Sequence, residues 1–429
     1  MNARNPPKDY SFKVDRLFNY VKIFSFPRLA GTNGETKAVD LTIKTFNEIG
    51  FTDQQIQKKT FEFSDFYSTT LIKLIMVINL TFSLFILMFA YIDLRMTIFI
   101  CLIMVVVFIL IIKGLQHPEH PGFWGEYYGK LISATNIFIK LPAKNLPSNL
   151  AGNIIISAHL DSKSQSFKTY WRVFFYRIWL YGGIILVGFF IALFIHVYTI
   201  IKLNLLVIGV GIWIFTMLIS ISNVFLMFLN THNRSPGALD NASGMAVVFE
   251  LSEYFKEELL DNFNIWFCQF SAEELGTMGS RFFVNDHEDE FVKGRVFQIN
   301  LDMVSCACEP KNRIEFLQSY GVLPRKKIAP LLSKYLEKAA KEEHVEIKGF
   351  HLSTGAHTDS VPFHLRGYDS VDIVTRAGGK YAHNKVDTLD KVDPQVLLDA
   401  CLIIKNVILS LDKDYEVLCG NKELVCEES

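Results

Sequence analysis

Histidine and carboxylate side chains in this sequence recur just beyond short apolar runs or in turn-rich loops. Seven residues stand out: His159, Asp161, Asp240, Glu273, Glu274, Asp302 and His383. Their imidazole and carboxylate groups are nitrogen and oxygen donors of the kind that Zn²⁺ accepts, and they suffice for two ions. Each residue alone has an ordinary structural explanation, such as a hydrogen-bonded loop histidine or a carboxylate at a helix N-terminus. Together, and in this order, they predict a metal cluster.

Runs of strand length precede several of these residues and alternate with helical patterns. The predicted strands are residues 55–63, 136–141, 153–158, 264–270, 296–301 and 370–374. The predicted helices are residues 36–49, 242–255, 276–283, 327–341 and 394–411. This alternation predicts an α/β three-layer sandwich with a mostly parallel central sheet. Ligand sites in such sheets lie at the carboxyl ends of the strands, which is where these side chains occur.

The composition is too apolar for an ordinary soluble protein of 429 residues. Only 20% of the residues are charged, 37 are Phe and the mean hydropathy is +0.24, whereas about 25% charge is usual. Uncharged apolar runs occur at residues 74–92, 96–112, 178–201 and 203–229, and each is near or above the ~17 to 25 residues that cross a bilayer. We therefore expect four transmembrane helices. The net charge of -1 gives no reason to expect a nucleic acid partner.

The four apolar runs form two pairs with very short links. Residues 93–95 join the first pair and Lys202 joins the second. Each pair therefore predicts a helical hairpin that returns the chain to the side of the bilayer from which it came. We expect the hairpins at residues 71–115 and 174–230, inserted into a polar domain made of residues 1–70, 116–173 and 231–429.

Flanking charges favour a multi-pass membrane protein whose polar domain is cytoplasmic. Basic residues near the polar ends of the hairpins outnumber those in the links; they are Lys73, Lys113, Lys163, Lys168, Arg172, Arg177 and Arg234. The seven cysteines are odd in number and scattered, so we expect most of them to be reduced thiols. The N-terminus lacks the apolar core of a signal peptide, which agrees with the same side.

Five motifs carry a resemblance to a known family: AHLDS, PGALDNASG, SAEELGTMGS, NLDM and HNKVDT. From about residue 39 to residue 408, interrupted by the hairpins, the chain resembles the zinc-dependent M28 peptidases of the co-catalytic aminopeptidase type. The resemblance implies two Zn²⁺ ions, with another divalent cation possible at one site. One ion would be bound by His159 and Asp302, and the other by Glu274 and His383. Asp240 would bridge both ions.

The resemblance also implies two catalytic residues, Glu273 and Asp161. Glu273 would act as the general base for a metal-bridged hydroxide that attacks the peptide carbonyl, and would then protonate the leaving amine. Asp161 would accept the ring N–H of His159 and fix its tautomer. The resemblance thus predicts a zinc peptidase of the aminopeptidase kind, with peptide substrates, and the apolar runs add a membrane anchor.

Two other functions stay open at this point. Glutaminyl cyclases resemble the same family, share the His-x-Asp-Ser-Lys stretch found at residues 159–163, and work with a single zinc. A non-catalytic, peptidase-like membrane scaffold would require a missing ligand, and none of the predicted set is missing. Leu160 and residues 358–360 depart from the family pattern, so the specificity pocket is not predicted. His357 and Asp359 either line that pocket or are ordinary loop residues.

The hairpins tether the predicted site close to the lipid. The fourth apolar run ends at Leu229, eleven positions before Asp240. Because a chain spans at most about 3.3–3.6 Å per residue, the site lies within roughly 40 Å of the bilayer. An aromatic and basic stretch at residues 171–181 is typical of a membrane interface. We hypothesise that the hairpins deliver a membrane-adjacent substrate, such as the end of a membrane peptide; anchoring alone is the alternative.

Overall fold

The computed structural model describes residues 11–114, 117–122, 125–307, 313–321, 325–353 and 358–419. As far as it is described, the chain divides into two compact units. The sheet unit takes in Met1–Phe63, Ile132–Ser164 and Asn233–Ser429, and the helical unit takes in Ser64–Leu131 and Gln165–His232. The hairpin boundaries expected from the sequence, 71–115 and 174–230, enclose less of the chain than the helical unit does, and they stay a prediction.

The described residues contain eleven strands and twelve α-helices. The strands are β1 (Ile56–Ser64), β2 (Leu131–Leu141), β3 (Gly152–His159), β4 (Ser164–Gln165), β5 (Thr231–His232), β6 (Phe263–Phe270), β7 (Val296–Leu301), β8 (Ile314–Tyr320), β9 (Lys326–Lys327), β10 (Ile347–Leu352) and β11 (Asp369–Ile373). The helices are α1 (Val14–Phe24), α2 (Asn33–Ile49), α3 (Leu71–Ile92), α4 (Leu94–Gly114), α5 (Thr169–Tyr198), α6 (Leu205–Met227), α7 (Ser243–Glu257), α8 (Met278–His287), α9 (Pro330–Glu342), α10 (Val361–Leu365), α11 (Pro394–Lys413) and α12 (Tyr415–Cys419).

One nine-stranded sheet organises the sheet unit. Its order is β1-β2-β6-β3-β7-β11-β8-β10, and β9 pairs with β8. β3 runs parallel to both β6 and β7, and β7 runs parallel to β11, so these four strands end at the same edge. Antiparallel pairs occur towards the flanks, between β2 and β6 and between β8 and β11. The predicted α/β fold with a mostly parallel sheet is confirmed.

Helices cover both faces of the sheet because its central strands are apolar on both. Along β3, Ile154 and Ile156 pack into one core with residues of α1, α2, α7, α9 and α11. The intervening Ile155 points into a second core with residues of α8 and α10. Burying such a side chain stabilises the fold by about 1.5–3 kcal/mol, so this alternation along one strand holds three layers together.

The sequence patterns missed some elements of the sheet unit. β8 and β10 were not predicted. The strand signal of β10 is weak, because β10 is a half-exposed edge strand whose sequence, IKGFHL, carries a lysine and a glycine. The amphipathic helix α1 was also missed. All six predicted strands are present, although β2 begins five residues earlier than expected, at Leu131.

The helical unit is made chiefly of α3, α4, α5 and α6. Each of the four predicted apolar runs forms a helix, and Asp93 alone separates α3 from α4. α5 begins at Thr169, nine residues before the predicted run. Inside the unit, Asn79 Nδ2 donates to Asn223 Oδ1 at 3.3 Å, and both side chains are buried. Such a hydrogen bond between apolar helices fixes their packing.

Five helices in the described part of the chain are long and apolar enough to cross a membrane. Four of them are the helices of the helical unit, whose outward surfaces expose large apolar side chains such as Leu110 and Leu206. The fifth is α11, which lies in the sheet unit, and 50% of its apolar window is buried. Its buried residues, from Val396 to Leu411, belong to the first core, so packing explains the apolar character of α11.

Four cysteine side chains are characterised in the described residues. Cys101, Cys268 and Cys401 are free thiols, as the sequence led us to expect. Cys306 takes part in a disulfide bond and is the exception to that expectation.

Candidate metal centre

Strand register brings the predicted ligands to one edge of the sheet. His159 is the last residue of β3 and is paired with Phe270, the last residue of β6. The preceding residue of β3 is paired with Leu301, the last residue of β7. Asp302 follows Leu301 directly, so it stands beside His159. Glu273 comes three residues after Phe270, close enough to reach the same edge.

The backbone turns sharply at these strand ends. Ala272 before Glu273, Met303 after Asp302, and His383 itself have φ values of 59°, 50° and 59°. Residues other than glycine rarely adopt this left-handed conformation, which costs about 1–3 kcal/mol each and clusters at functional sites. The presence of three such residues at one rim agrees with a functional site there.

Asp240 lies in a tight turn, Ala238–Ala242, immediately before α7. The carboxylate of Asp387 accepts hydrogen bonds from the backbone N–H groups of Leu239, at 2.7 Å, and Asp240, at 3.2 Å. Burial raises the pKa of Asp387 to about 7, and the nearby charge of Asp240 contributes to that rise. Asp387 thus holds the turn from the side of the late loop that carries His383.

Asn241 fixes the same turn from the side of β7. Its Nδ2 donates to the main-chain oxygen of Leu301 at 2.7 Å, and its Oδ1 accepts from the N–H of Met303 at 3.2 Å. The two contacts flank Asp302 in the chain. The positions of the Asp240 and Asp302 carboxylates are therefore coupled through one buried amide.

The two histidines face opposite oxygens of the Asp240 carboxylate. His159 Nε2 lies 3.2 Å from Asp240 Oδ1 and 3.5 Å from Asp302 Oδ1. His383 Nε2 lies 3.2 Å from Asp240 Oδ2 and 3.1 Å from Glu274 Oε2. The result is two triads that share Asp240. The structure thus brings all five predicted metal ligands together.

The donor atoms of this cluster fit zinc. Among the described residues, His159 Nε2 and Asp302 Oδ1 are buried atoms without a hydrogen-bond partner, although buried polar atoms normally have one. Ligand atoms that share a tetrahedral zinc ion at about 2.0–2.1 Å stand about 3.3 Å apart. The separations of 3.2 and 3.5 Å in the first triad and 3.1 and 3.2 Å in the second agree with that spacing.

Electrostatic contacts keep two of the three ligand carboxylates, those of Asp240 and Glu274, ionised. Burial alone would raise the pKa of Asp240, but His159 and His383 lower it well below its ordinary value. For Glu274, burial is likewise outweighed, because His383 and Lys163 lower its pKa to about 2. Ionised carboxylates accept but do not donate hydrogen bonds, so both side chains are in the form that binds a cation.

Glu273 lies beside the first triad without belonging to either triad. Its Oε2 is 4.0 Å from His159 Nε2, and its side chain is only 8% exposed. Burial raises the pKa of Glu273 well above its ordinary value; His159 opposes this rise, and Glu274 adds to it. A carboxylate next to the ligands but outside their set is placed as a general base would be.

The carboxylate of Asp161 holds the two glutamates more closely than it holds the histidine ring. It accepts hydrogen bonds from the backbone N–H groups of Glu273, at 3.2 Å, and Glu274, at 3.3 Å. His159 Nδ1 lies 3.1 Å from the main-chain oxygen of Asp161 and 3.5 Å from its carboxylate. The main-chain oxygen of Asp161 is thus nearer to the ring than its carboxylate is, and the predicted role of the carboxylate stays a prediction.

Lys163, which the sequence did not mark as a site residue, contacts Glu274. Its Nζ lies 2.7 Å from Glu274 Oε2 and donates to the main-chain oxygen of Glu274 at 2.9 Å. The positive charge of Lys163 partly neutralises the second triad, because Glu274 belongs to that triad. A cation there meets a weaker attraction than the carboxylate count alone indicates.

Arg28 is a second residue that the sequence did not reveal. Its fully buried guanidinium donates to five main-chain oxygens, those of Leu160, Phe24, Phe26, Pro236 and Gly237. Burial lowers the pKa of Arg28 to about 10, while Asp387, Asp161 and Asp240 oppose that shift. Arg28 joins the segment after His159 to the turn before Asp240.

Replacing Arg28 with Met is expected to destabilise the protein by about 3–5 kcal/mol, since it leaves five buried carbonyl oxygens without their donor. We expect a lower unfolding midpoint in denaturant and weaker zinc retention. Arg325→Met is the control, because the side chain of Arg325 is exposed, so its loss should cost about 0.5 kcal/mol or less. Equal destabilisation by the two variants would contradict this role of Arg28.

The predicted pocket residues fare differently. Asp359 is fully buried and accepts from Ser280 Oγ at 2.6 Å. Burial raises the pKa of Asp359 to about 7. His357 lies outside the described residues. Lys163 ends the His-x-Asp-Ser-Lys stretch and Asp387 lies inside the HNKVDT motif, although neither was predicted to be a site residue. Arg28 lies outside every quoted motif.

Part of the chain matches a known protein family. Residues 224–408 match the model of peptidase family M28. Over 173 residues the chain is 28% identical to the aminopeptidase YwaD of Bacillus subtilis (strain 168). The aligned region covers 39% of this chain and 36% of that protein. The match therefore spans about a third of that relative's length.

Two solved structures share the fold. A zinc aminopeptidase from Bacillus subtilis superposes with a TM-score of 0.54 and 15% identity, covering 94% of this chain and 96% of that one. A glutaminyl cyclase from an Acidobacteriales bacterium superposes with a TM-score of 0.53 and 14% identity, covering 96% and 98%. At these identities the likeness concerns the fold.

Proposed function

We propose that this chain, which carries a peptidase family M28 segment at residues 224–408, is a membrane-anchored zinc aminopeptidase. The observation that carries the proposal is the shared carboxylate: each oxygen of Asp240 faces one of the two histidines. Five of the seven predicted site residues fall inside the matched segment. His159 and Asp161 precede it, and most of the second hairpin lies between them and the segment in the chain.

Zinc at the two triads would polarise the scissile carbonyl and lower the pKa of the attacking water. His159 and Asp302 would hold one ion, Glu274 and His383 the other, and Asp240 both. The proton transfers would be carried out by a side chain of the protein.

Glu273 would take the proton of the attacking water at Oε2 and pass it to the leaving amine. Burial of its side chain excludes bulk water, which would otherwise compete for that proton. Asp161 keeps the backbone of Glu273 in place through the hydrogen bond from its N–H group. The general base and the ligand Glu274 are therefore positioned by the same carboxylate.

A glutaminyl cyclase with a single zinc is the second candidate. It is favoured by the ion pair between Lys163 and Glu274, because partial neutralisation of the second triad weakens the binding of an ion there. The shared carboxylate favours the two-metal peptidase, since a single ion in the first triad would leave Asp240 Oδ2, Glu274 Oε2 and His383 Nε2 gathered without a metal ion.

For the substrate, we propose a peptide whose free amino terminus lies near the membrane. The support comes from the chain itself, because the apolar helix α6 ends at Met227, thirteen residues before Asp240. We also propose that the sheet unit faces the cytoplasm, on the basis of the basic residues that flank the hairpins. The disulfide bond at Cys306, a feature more usual in oxidising compartments, is the observation against that side.

Peptide profiling of the full chain in liposomes tests this proposal. We expect release of the first residue from peptides with a free amino terminus, no turnover of the same peptides after N-acetylation, and faster turnover of lipid-anchored copies. Cyclisation of N-terminal Gln without cleavage would support the cyclase instead. Equal turnover of anchored and soluble peptides would mean that the hairpins anchor the protein but do not deliver its substrate.

A further inference from the structure

A group of metal-ligating side chains lies far along the chain from the zinc centre, in the helical unit. His117, Glu119 and His120 offer one ligand atom each, and these atoms lie within 4.8 Å of one another. Among the described residues, the other two such groups are the triads that share Asp240. The group around Glu119 therefore shares no residue with the proposed active site.

The local sequence, His-Pro-Glu-His, forms a tight turn that gathers these side chains. The N–H of His120 donates to the main-chain oxygen of His117 at 3.2 Å, which closes a four-residue turn with Pro118 at its second position. Proline is common at that position of a turn because its φ is already near −65°. The hydroxyl of Tyr127 donates to the main-chain oxygen of Glu119 at 2.8 Å, so the turn is held from a second segment.

The side chains combine a buried charge with accessible imidazoles. The carboxylate of Glu119 is fully buried, at 0% side-chain exposure, and lies 3.3 Å from Nδ1 of His117. The side chain of His117 is 59% exposed, and its ring lies 5.8 Å from the ring of His120. A divalent cation would share this carboxylate with the two imidazoles, since one ligand atom of each side chain lies within 4.8 Å of the others.

The donor set indicates which ion fits. Two imidazole nitrogens and one carboxylate oxygen are ligands that Zn²⁺ accepts, and three protein ligands leave a fourth position for water. Ca²⁺ and Mg²⁺ prefer oxygen donors. Zn²⁺, which is redox-inert and accepts both nitrogen and oxygen ligands, therefore fits this group best.

We propose that His117, Glu119 and His120 form a further zinc site, separate from the active site, which fixes the turn after the first apolar hairpin. α4 ends at Gly114, three residues before His117, so the turn lies within about 11 Å of the end of that helix. An ion here would fix the conformation of this turn, at residues 117–120. The site does not depend on the proposed peptidase activity.

Zinc binding by the full chain tests the proposal. The protein is purified in detergent without a polyhistidine tag and carries Asp240→Ala, so that zinc in the sheet unit does not mask the turn. After chelation, it is dialysed against micromolar Zn²⁺ and its zinc content is measured. We expect one ion per chain. The added double change His117→Gln with His120→Gln should remove that ion, and Glu119→Gln should weaken binding about tenfold or more.

The control is His344→Asn in the same Asp240→Ala background. His344 is an exposed histidine of the sheet unit with φ 55°, a conformation that Asn tolerates, and the variant should keep the ion. An Asp240→Ala chain that holds no zinc would overturn the proposal, and so would equal zinc in the double variant and its parent. With Asp240 intact, the double variant should retain peptidase turnover, so failure of the proposed activity is a separate outcome.

Discussion

Replacing Glu273 with Gln is expected to lower turnover by about 10²–10⁴-fold while the chain keeps its zinc. The amide has nearly the size and shape of the carboxylate, but it cannot take a proton from the attacking water. Glu273 belongs to neither triad, so the ligand set is unchanged. The measurement is kcat on a free-amino-terminus peptide together with the zinc content of the same preparation.

A matched control makes the Glu273 result interpretable. Glu337→Gln is the same chemical change on the exposed side of α9, and it should leave both kcat and zinc content unchanged. If metal-loaded Glu273→Gln turns over at the rate of the Glu337→Gln control, the base assignment is wrong. Loss of zinc together with activity would instead mean that Glu273 acts as a ligand.

Replacing Asp240 with Ala is expected to remove two zinc ions relative to the unsubstituted chain and to abolish turnover. Its two oxygens face different histidines, His159 at 3.2 Å and His383 at 3.2 Å, so one truncation opens both triads. When the free zinc concentration is a thousand times the dissociation constant of a site, binding at that site stabilises the folded protein by about 4 kcal/mol. The zinc-dependent rise in the unfolding temperature should therefore shrink as well.

Single-triad variants provide the comparison for Asp240. Asp302→Ala and Glu274→Ala each truncate a ligand of one triad only, and each should lose one ion. A difference of a single ion between the unsubstituted chain and Asp240→Ala would favour the cyclase alternative. Equal zinc content in Asp240→Ala and Asp302→Ala would contradict the bridging role.

Much of the fold could be predicted because its signals are local. The β-branched and aromatic runs at 153–158, 264–270 and 296–301 each formed a strand, and the four uninterrupted apolar runs each formed a long helix. Side-chain period and hydrophobic run length depend on nearby residues only. Elements with weak periodicity were lost, as the half-exposed β10 shows.

The apolar helix α11 shows where a local signal becomes ambiguous. By length and composition α11 resembles the helices of the helical unit, since all of them could cross a bilayer. Its surroundings decide otherwise, because Leu397, Ile404 and Ile408 are fully buried against the sheet. A water-free environment is the same for an apolar side chain whether lipid or protein provides it.

The sequence by itself determined the inventory of the site: two histidines, several carboxylates and their positions after strands. Only the tertiary structure decided how they combine, since the alignment of β3 with β6 and β7 places Asp302 beside His159. It also decided the supports, with Arg28 donating to chain segments more than 130 residues away. The physical reason is that metal coordination and buried hydrogen bonds depend on distance in space, and strand register, which sets those distances, arises from contacts remote in the chain.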